Sequence, residues 1–401
     1  MTRHPLIYSL LFFAAALTAG CSDTDDDAGY DGSAEAKAEQ TVIMFFPYCG
    51  SLLSAFNNNI SDMAAAVESR GGLGDQRLVV YICQSATTAH LIEIIHDGDG
   101  VVRDTICIDT FAEAPYTTVE GMAGLLGRIE SAAPAESYAI VIGCHGMGWL
   151  PVGTTVSGTS SVKSLNLTEE EAIATRYFGH TTDATWQCDI STLAQGITAT
   201  GQPMDYILFD ACYMANIETA YELRSATSML IASPTEVMSA GVPYSVAGSY
   251  LLDNDLQGFC DAFADYYLST STPYASMSVI DCSKVETMAD VMSGLHAVAG
   301  TDADAATLQA FDGLSPHLFY DLGDYAETLC SGDTEWLNNI DATMADLVPY
   351  SRHSPSFYSA YDNSVTTISS FSGLTISAPS DNDAASSWRQ TAWGQRTIGE
   401  S

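Results

Sequence analysis

The chain has 401 residues, of which 50 are acidic and only 13 basic, for a net charge of -37. Average usage would give about four times as many basic residues, so the imbalance is a shortage of Lys and Arg. That excludes a nucleic-acid binder, which needs a basic face to neutralise phosphates, and a protein held to anionic membranes by charge; with 47% hydrophobic and 10% aromatic residues it is not a disordered acidic tail either.

In chain order, residues 1–20 read as a lipoprotein signal peptide. Arg3 and His4 form a short polar start, and residues 6–17 an apolar stretch too short to span a bilayer. Thr18-Ala19-Gly20-Cys21 is similar to a bacterial lipobox, with small residues before the Cys, which makes Cys21 the lipidation candidate. Thr18 departs from the pattern, since Leu is commonest there. Ser22-Asp23-Thr24-Asp25-Asp26-Asp27 opens an acidic flexible tether over residues 21–39. No other apolar run is long enough to cross a membrane. The expected location is the bacterial cell envelope, lipid-anchored at the outer membrane or cell surface, or outside the cell as a secreted protein.

From residue 41 the pattern alternates. Residues 41–46 read as a buried strand, 52–69 as a helix closed by Gly71-Gly72, and 77–83 as a second buried strand. Residues 91–96 and 101–107 flank Asp97-Gly98-Asp99-Gly100, a hairpin signal that lacks the third acidic ligand and closing Glu of a calcium loop. Residues 117–130 read as a helix, 137–143 and 206–209 as buried strands, 213–225 as a helix and 229–232 as a further strand. Such alternation predicts an α/β fold with a mostly parallel central sheet flanked by helices. Residues 150–188, rich in Thr, Ser and Gly, read as a long exposed excursion. Beyond residue 250 the chain turns more helical and ends in short strands at 366–369 and 374–378. The expected division is a core over 40–250 with a smaller C-terminal helical/β addition over 251–401 packed on it.

Ten cysteines are present. No CxxC pair occurs, which argues against a zinc ribbon or thioredoxin motif. Apart from Cys21, most sit in apolar runs and read as buried free thiols, with room for one working thiol.

In open parallel sheets, functional side chains collect at the carboxyl ends of strands. Two ends stand out. One strand runs into Gly143-Cys144-His145-Gly146-Met147-Gly148-Trp149, the other into Phe209-Asp210-Ala211-Cys212. Cys212 sits between a strand and a predicted helix, where the helix dipole lowers a thiol pKa. A His at the neighbouring strand end can take the thiol proton and return it to a leaving amine. Gly146 and Cys212 offer backbone N–H groups to an oxyanion. Taken singly, a Cys after an apolar run is more often core, and a His before Gly more often a turn residue; only their pairing points to a dyad. Cys144 adjoins His145 but points to the opposite face of the strand, so it is the lesser candidate nucleophile.

At these residues the chain resembles the clostripain family of cysteine peptidases. His145-Gly146-Met147-Gly148-Trp149 is similar to its HGxGW block. Phe209-Asp210-Ala211-Cys212-Tyr213-Met214-Ala215, with Glu218 and Ala220-Tyr221-Glu222-Leu223, is similar to its FDACxMAxxExAYEL block. Ala232-Ser233 through Gly241-Val242-Pro243-Tyr244 resembles the segment that follows, and weaker matches extend the resemblance over roughly residues 41–395. The resemblance implies a caspase-like fold and an endopeptidase that cuts after basic residues, Arg in preference to Lys. It implies Cys212 as nucleophile, His145 as general base and acid, and Asp210 at the floor of the S1 pocket, with Glu236 a lesser candidate there. Strand alternation puts Asp210 on the side of Cys212, as a neighbouring pocket requires; the competing reading is that Asp210 caps the following helix. No cofactor is required and no metal ligands are implied, although the resemblance leaves calcium open. Cys144 departs from the Asp or Asn that commonly precedes the His, and Phe45-Phe46-Pro47-Tyr48-Cys49-Gly50 departs from the family's acidic, Asn-containing opening.

The family is often self-cut between its two blocks. Here the basic residues between them are Lys163 and Arg176, both in the excursion, and each is an autocleavage candidate. The expected partners are proteins or peptides carrying Arg or Lys, no nucleic acid, and the membrane only through Cys21. The alternative is a non-catalytic surface lipoprotein that uses the same fold to bind a host or glycan ligand; retention of both His145 and Cys212 argues against it. The absence of HExxH and GxSxG argues against a zinc or serine hydrolase.

Overall fold

The structure, a computed structural model of the chain, describes residues 37–98, 100–154, 178–179 and 183–398. Cys21, Lys163 and Arg176 lie outside the described residues, as do the expected signal peptide and most of the tether.

The chain enters through β1 (Ala38–Phe46), α1 (Leu53–Arg70), β2 (Gln76–Ser85), β3 (Thr88–His96) and β4 (Val101–Thr110). It continues through α2 (Val119–Ala132), β5 (Ala135–Gly143), the two-residue strands β6 (Phe178–Gly179) and β7 (Gln187–Cys188), and α3 (Ile190–Thr200). Then come β8 (Met204–Asp210), α4 (Ile217–Leu223), β9 (Thr227–Ala232), α5 (Tyr244–Leu252), α6 (Leu256–Leu268), β10 (Ser276–Asp281) and α7 (Val285–Ala299). The last part holds β11 (Tyr320–Asp321), α8 (Leu322–Cys330), α9 (Thr334–Leu347), β12 (Tyr350–His353), β13 (Ser356–Ser359), β14 (Ser364–Thr367), β15 (Thr375–Ile376) and α10 (Ala392–Ile398).

One sheet of nine strands, in the order β12-β10-β9-β8-β5-β1-β2-β3-β4, organises the whole. The five central strands, β9 through β2, run parallel. Helices cover both faces of such a sheet, so its strands are apolar throughout rather than alternating. β1 shows this: Val42, Ile43, Met44, Phe45 and Phe46 are all fully buried. From β1 the chain builds outward through α1 to β2 and the β3–β4 hairpin. It then returns through α2 to β5, on the other side of β1, and builds toward β8 and β9. The direction of growth reverses there, and functional side chains gather beyond the carboxyl ends of strands at such a switch point.

The segment beyond residue 250 does not stand apart from the sheet. β10 pairs antiparallel with β9, and β12 with β10, so both extend it on one side. Residues Glu35–Ser401 form one compact unit, and the boundary expected at residue 250 falls inside it. The helix expected over 213–225 is reduced to Ile217–Leu223, because residues 211–216 are held in an irregular loop.

Candidate active site

β5 and β8 leave the sheet side by side. Ile142 pairs with Phe209 and Gly143 with Asp210, and the Cys144 N–H reaches the Asp210 carbonyl at 3.4 Å. His145 and Cys212 follow directly on these adjacent ends. The His145 carbonyl accepts from the Gly179 N–H at 3.1 Å, which fixes the chain just past the strand. Its imidazole meets the Tyr48 ring edge-on, with centroids 4.9 Å apart.

Gly146 lets the two loops touch. A Cβ there would lie 2.6 Å from the Cys212 carbonyl oxygen and 2.9 Å from the Met214 Sδ, closer than real Cβ contacts come. The loop carrying His145 therefore lies directly against the loop carrying Cys212.

Tyr213, next to Cys212, adopts φ 59, a left-handed conformation costly for a residue with a side chain. Its surroundings hold it there. The Tyr213 N–H donates to the Thr235 carbonyl at 3.0 Å, its hydroxyl donates to Glu236 at 2.7 Å, and its ring stacks on Phe319. The Ala215 N–H donates to the Ser233 carbonyl at 3.0 Å, so residues 213–215 are tied to the segment after β9.

This loop corrects one expectation. Cys212 is not at a helix N-terminus: α4 begins at Ile217 and is capped by Asn216, whose side chain accepts from the Thr219 N–H at 2.9 Å. The dipole argument for a depressed thiol pKa fails accordingly. Burial pushes the half-buried Cys212 thiol up to about 12, and the negative charge of Glu236 pushes the same way. The Val237 N–H, 3.3 Å from Sγ, acts in the opposite direction. Cys212 at rest is thus a protonated thiol. Cys144 is sealed in the core, and burial raises its thiol too.

Asp210 ends β8 with its carboxylate buried. Both oxygens accept from the Val242 N–H at 3.1 Å, and Oδ2 also accepts from the Tyr244 hydroxyl at 3.1 Å. Gly241 closes over it: a Cβ at Gly241 would lie 2.7 Å from Oδ2. Burial pushes this carboxyl up to about 6, partly offset by the two donors. Because the following helix is capped by Asn216, Asp210 does not serve as that cap.

Glu236 is differently engaged. Its carboxylate accepts from the Tyr213 hydroxyl, the Ser359 hydroxyl at 2.6 Å and the Ala360 N–H at 3.0 Å. It clamps the Cys212 loop to the end of β13, with its acceptors occupied by the protein itself.

Some residues acquire roles that the sequence did not assign. Trp149, in the His block, donates through Nε1 to the Ser377 hydroxyl at 2.9 Å. The Ser377 N–H donates to Glu218 of the Cys block at 3.0 Å, and Trp388 donates to the same carboxylate. Burial pushes Glu218 up to about 7. Trp149 and Glu218 stand in the two motif blocks, but Ser377 carried no signal. Tyr48 and Val237 are likewise visible only in three dimensions.

None of the nine described cysteines is in a disulfide. Among the described residues, no group of three or more His, Cys, Asp or Glu is placed to hold a metal ion, and no helix is long and apolar enough to cross a membrane. Asp97-Gly98 and Gly100 turn the β3–β4 hairpin.

A sequence profile of the clostripain family matches residues 49–391. No curated protein matches the chain in sequence. Among solved structures, a secreted cysteine protease from Bacteroides thetaiotaomicron (iotapain) is 38% identical, with a TM-score of 0.81 over 90% of this chain and 100% of its own. A clostripain from the same species, in complex with the peptide inhibitor BTN-VLTK-AOMK, is 40% identical, with a TM-score of 0.54 over 56% of this chain and 100% of its own. An inactive zymogen protease from Parabacteroides distasonis, 24% identical, shares the fold with a TM-score of 0.73 over 90% of this chain and 99% of its own.

Proposed function

Because the chain belongs to the clostripain family of cysteine peptidases, we propose that it is an endopeptidase cutting after basic residues with Cys212 as nucleophile and His145 as general base and acid. The observation that carries this reading is the contact of the two loops at the ends of β5 and β8, where Gly146 lies against the Cys212 backbone. In this mechanism His145 takes the thiol proton as Sγ attacks the substrate carbonyl carbon. The N–H groups of Gly146 and Cys212 receive the developing oxyanion. His145 then protonates the leaving amine, and water hydrolyses the thioester. With a resting thiol pushed up to about 12, the base is indispensable.

Asp210 is the proposed partner of the substrate's basic side chain, with Arg preferred over Lys. It is a buried carboxylate on the strand that carries the nucleophile, and a cation would stabilise its ionised form. The relative in complex with BTN-VLTK-AOMK, whose peptide ends in Lys, supports a basic preference here. Glu236 is the weaker candidate because three donors, from Tyr213, Ser359 and Ala360, engage its carboxylate, against two, from Val242 and Tyr244, at Asp210.

Activation by self-cutting at Lys163 or Arg176 completes the proposal. Most described arginines are tied up in folded elements: Arg70, Arg77, Arg128, Arg224, Arg352 and Arg396 all form ion pairs. Intact-mass analysis of active enzyme tests this, and an active, uncut chain would refute it. Attachment through a lipid on Cys21, with export from the cell as in the secreted relative, belongs to the same proposal.

The decisive experiment is a fluorogenic panel with Arg, Lys, Asp or Leu before the scissile bond, run on the wild type and on Cys212→Ala. Hydrolysis of the Arg and Lys substrates that vanishes in Cys212→Ala is expected. Unchanged turnover in that variant refutes the nucleophile, and a preference for Asp or Leu removes Asp210 from its role.

A further inference from the structure

We infer that Lys37 is a processing site: a second copy of the enzyme cuts the Lys37–Ala38 bond and frees the catalytic unit from the preceding residues. The inference rests on the basic preference proposed above. Between Arg3 and Arg70, Lys37 is the only Lys or Arg in the chain. An enzyme of that preference therefore has one place at which to separate its N-terminal segment from its fold.

Among the described residues, Lys37 is also the accessible one. Every other described Lys or Arg lies in a helix, a strand or a turn, whereas Lys37 is exposed and belongs to none of these. A peptidase takes its substrate as an extended segment, so a bond inside a folded element requires local unfolding first. At Lys37 little must open. The Ala38 N–H donates to the Pro134 carbonyl at 3.0 Å and the Glu39 N–H to the Asp75 carbonyl at 2.8 Å. Fraying stops at Gln40, which is buried and whose side-chain amide donates to Asp205 at 2.7 Å and Asn254 at 3.2 Å.

The cut leaves the fold whole. From Gln40 to Phe46, β1 remains paired with β2 on one side, and it is paired with β5 on the other. The new N-terminus, Ala38, is the first residue of β1.

Geometry makes the reaction intermolecular. Ala38 pairs with Ala135 at the start of β5, while His145 lies just past the end of that strand. At ~3.3 Å per residue the two lie about 30 Å apart along the sheet. β1 is a central strand and cannot swing round to its own active site. In the partner copy, Cys212 Sγ bonds to the Lys37 carbonyl carbon and the bond to the Ala38 nitrogen breaks, with that nitrogen taking a proton from His145. Water then hydrolyses the thioester, leaving Lys37 with a free carboxylate. Cys21, with any lipid on it, stays on the removed piece, so the cut turns an anchored enzyme into a diffusing one.

The test uses full-length Cys212→Ala as substrate and active full-length enzyme as catalyst, read by intact mass and N-terminal sequencing. The expected product begins at Ala38, and its initial rate of formation rises in proportion to active enzyme. Full-length Lys37→Gln should remain uncut there yet hydrolyse a Lys-amide peptide at the wild-type rate. Wild-type enzyme that hydrolyses this peptide but keeps the residues before Ala38 overturns the inference and leaves the proposed function standing. A rate independent of enzyme concentration overturns the intermolecular step. Failure to hydrolyse any Arg or Lys peptide overturns the proposed function, and the inference with it.

Discussion

Tyr48 meets His145 edge-on, with ring centroids 4.9 Å apart and planes inclined at 74°. Tyr48 sits just past the end of β1, and its hydroxyl lies 3.3 Å from the Ser51 hydroxyl and accepts from the Ser51 N–H at 3.2 Å. The ring is thus anchored at its far end and offers its body to the imidazole. Aromatic pairs of this geometry favour one orientation by about 1 kcal/mol.

If Tyr48 orients His145, its loss should slow the chemical step rather than substrate binding. Tyr48→Ala is expected to lower kcat about tenfold with KM little changed, since small misplacements of a catalytic group are costly. Tyr48→Phe keeps the ring and should recover most of that loss. A rise in KM at unchanged kcat would refute the positioning role.

Asp210, the proposed partner of the substrate's basic side chain, also bears on stability. Its carboxyl is raised from the ordinary 3.8 to about 6 in the fold, so the folded state binds its proton more tightly than the unfolded chain does. That contribution to stability is complete below the unfolded value and is lost as pH rises through about 6. At about 1.4 kcal/mol per pH unit it amounts to roughly 3 kcal/mol. Denaturant unfolding at pH 4 and pH 7 should therefore show a smaller drop in Asp210→Asn than in the wild type. The same variant should lose cleavage after Arg or Lys on the order of 100-fold, through loss of a buried charge partner. A variant with the wild-type pH slope would contradict this account of Asp210.

The central strands were legible because both of their faces are buried. Val79-Val80-Tyr81-Ile82-Cys83 of β2 and the corresponding runs of β1, β5 and β8 are apolar throughout, so their pattern survives without knowledge of neighbours. β12 is partly exposed and gives no such run, and β10, although buried, is not apolar throughout. β10 carries buried serines, and Ser276 satisfies its hydroxyl with Ser233 and Thr235, each at 2.7 Å. A polar residue satisfied by tertiary partners looks like a loop residue in sequence. The site shows the same split. His145 and Cys212 are visible at two strand ends, but the turn that follows Cys212 reads as helix in the sequence. Contacts from Thr235 and Ser233 to Tyr213 and Ala215 hold that turn, and local propensity says nothing of them.

Gly146 is expected to tolerate no side chain. A Cβ 2.6 Å from the Cys212 carbonyl oxygen must push the two loops apart. Shifts of about 1 Å at a catalytic pair cost about 100-fold in rate. Gly146→Ala should fold, with a far-ultraviolet circular dichroism spectrum like the wild type, and lose kcat by about that factor. Full activity in this variant would mean that the loops do not need their close contact.

Glu236 offers the sharpest check on the electrostatics of Cys212, the proposed nucleophile. Its negative charge is the largest influence after burial that raises the Cys212 thiol. Removing that charge stabilises the thiolate relative to the thiol and so lowers the pKa. Glu236→Gln keeps a carbonyl oxygen to accept from Tyr213 and Ser359, so the clamp on the Cys212 loop is largely preserved. The rate of iodoacetamide alkylation, followed from pH 6 to pH 10, reports the thiolate fraction. The Cys212-dependent part of that curve, taken as the difference from Cys212→Ala, should move to lower pH in Glu236→Gln. A shift to higher pH, or none, would show that the carboxylate acts on Cys212 only through the loop it clamps and not through its charge.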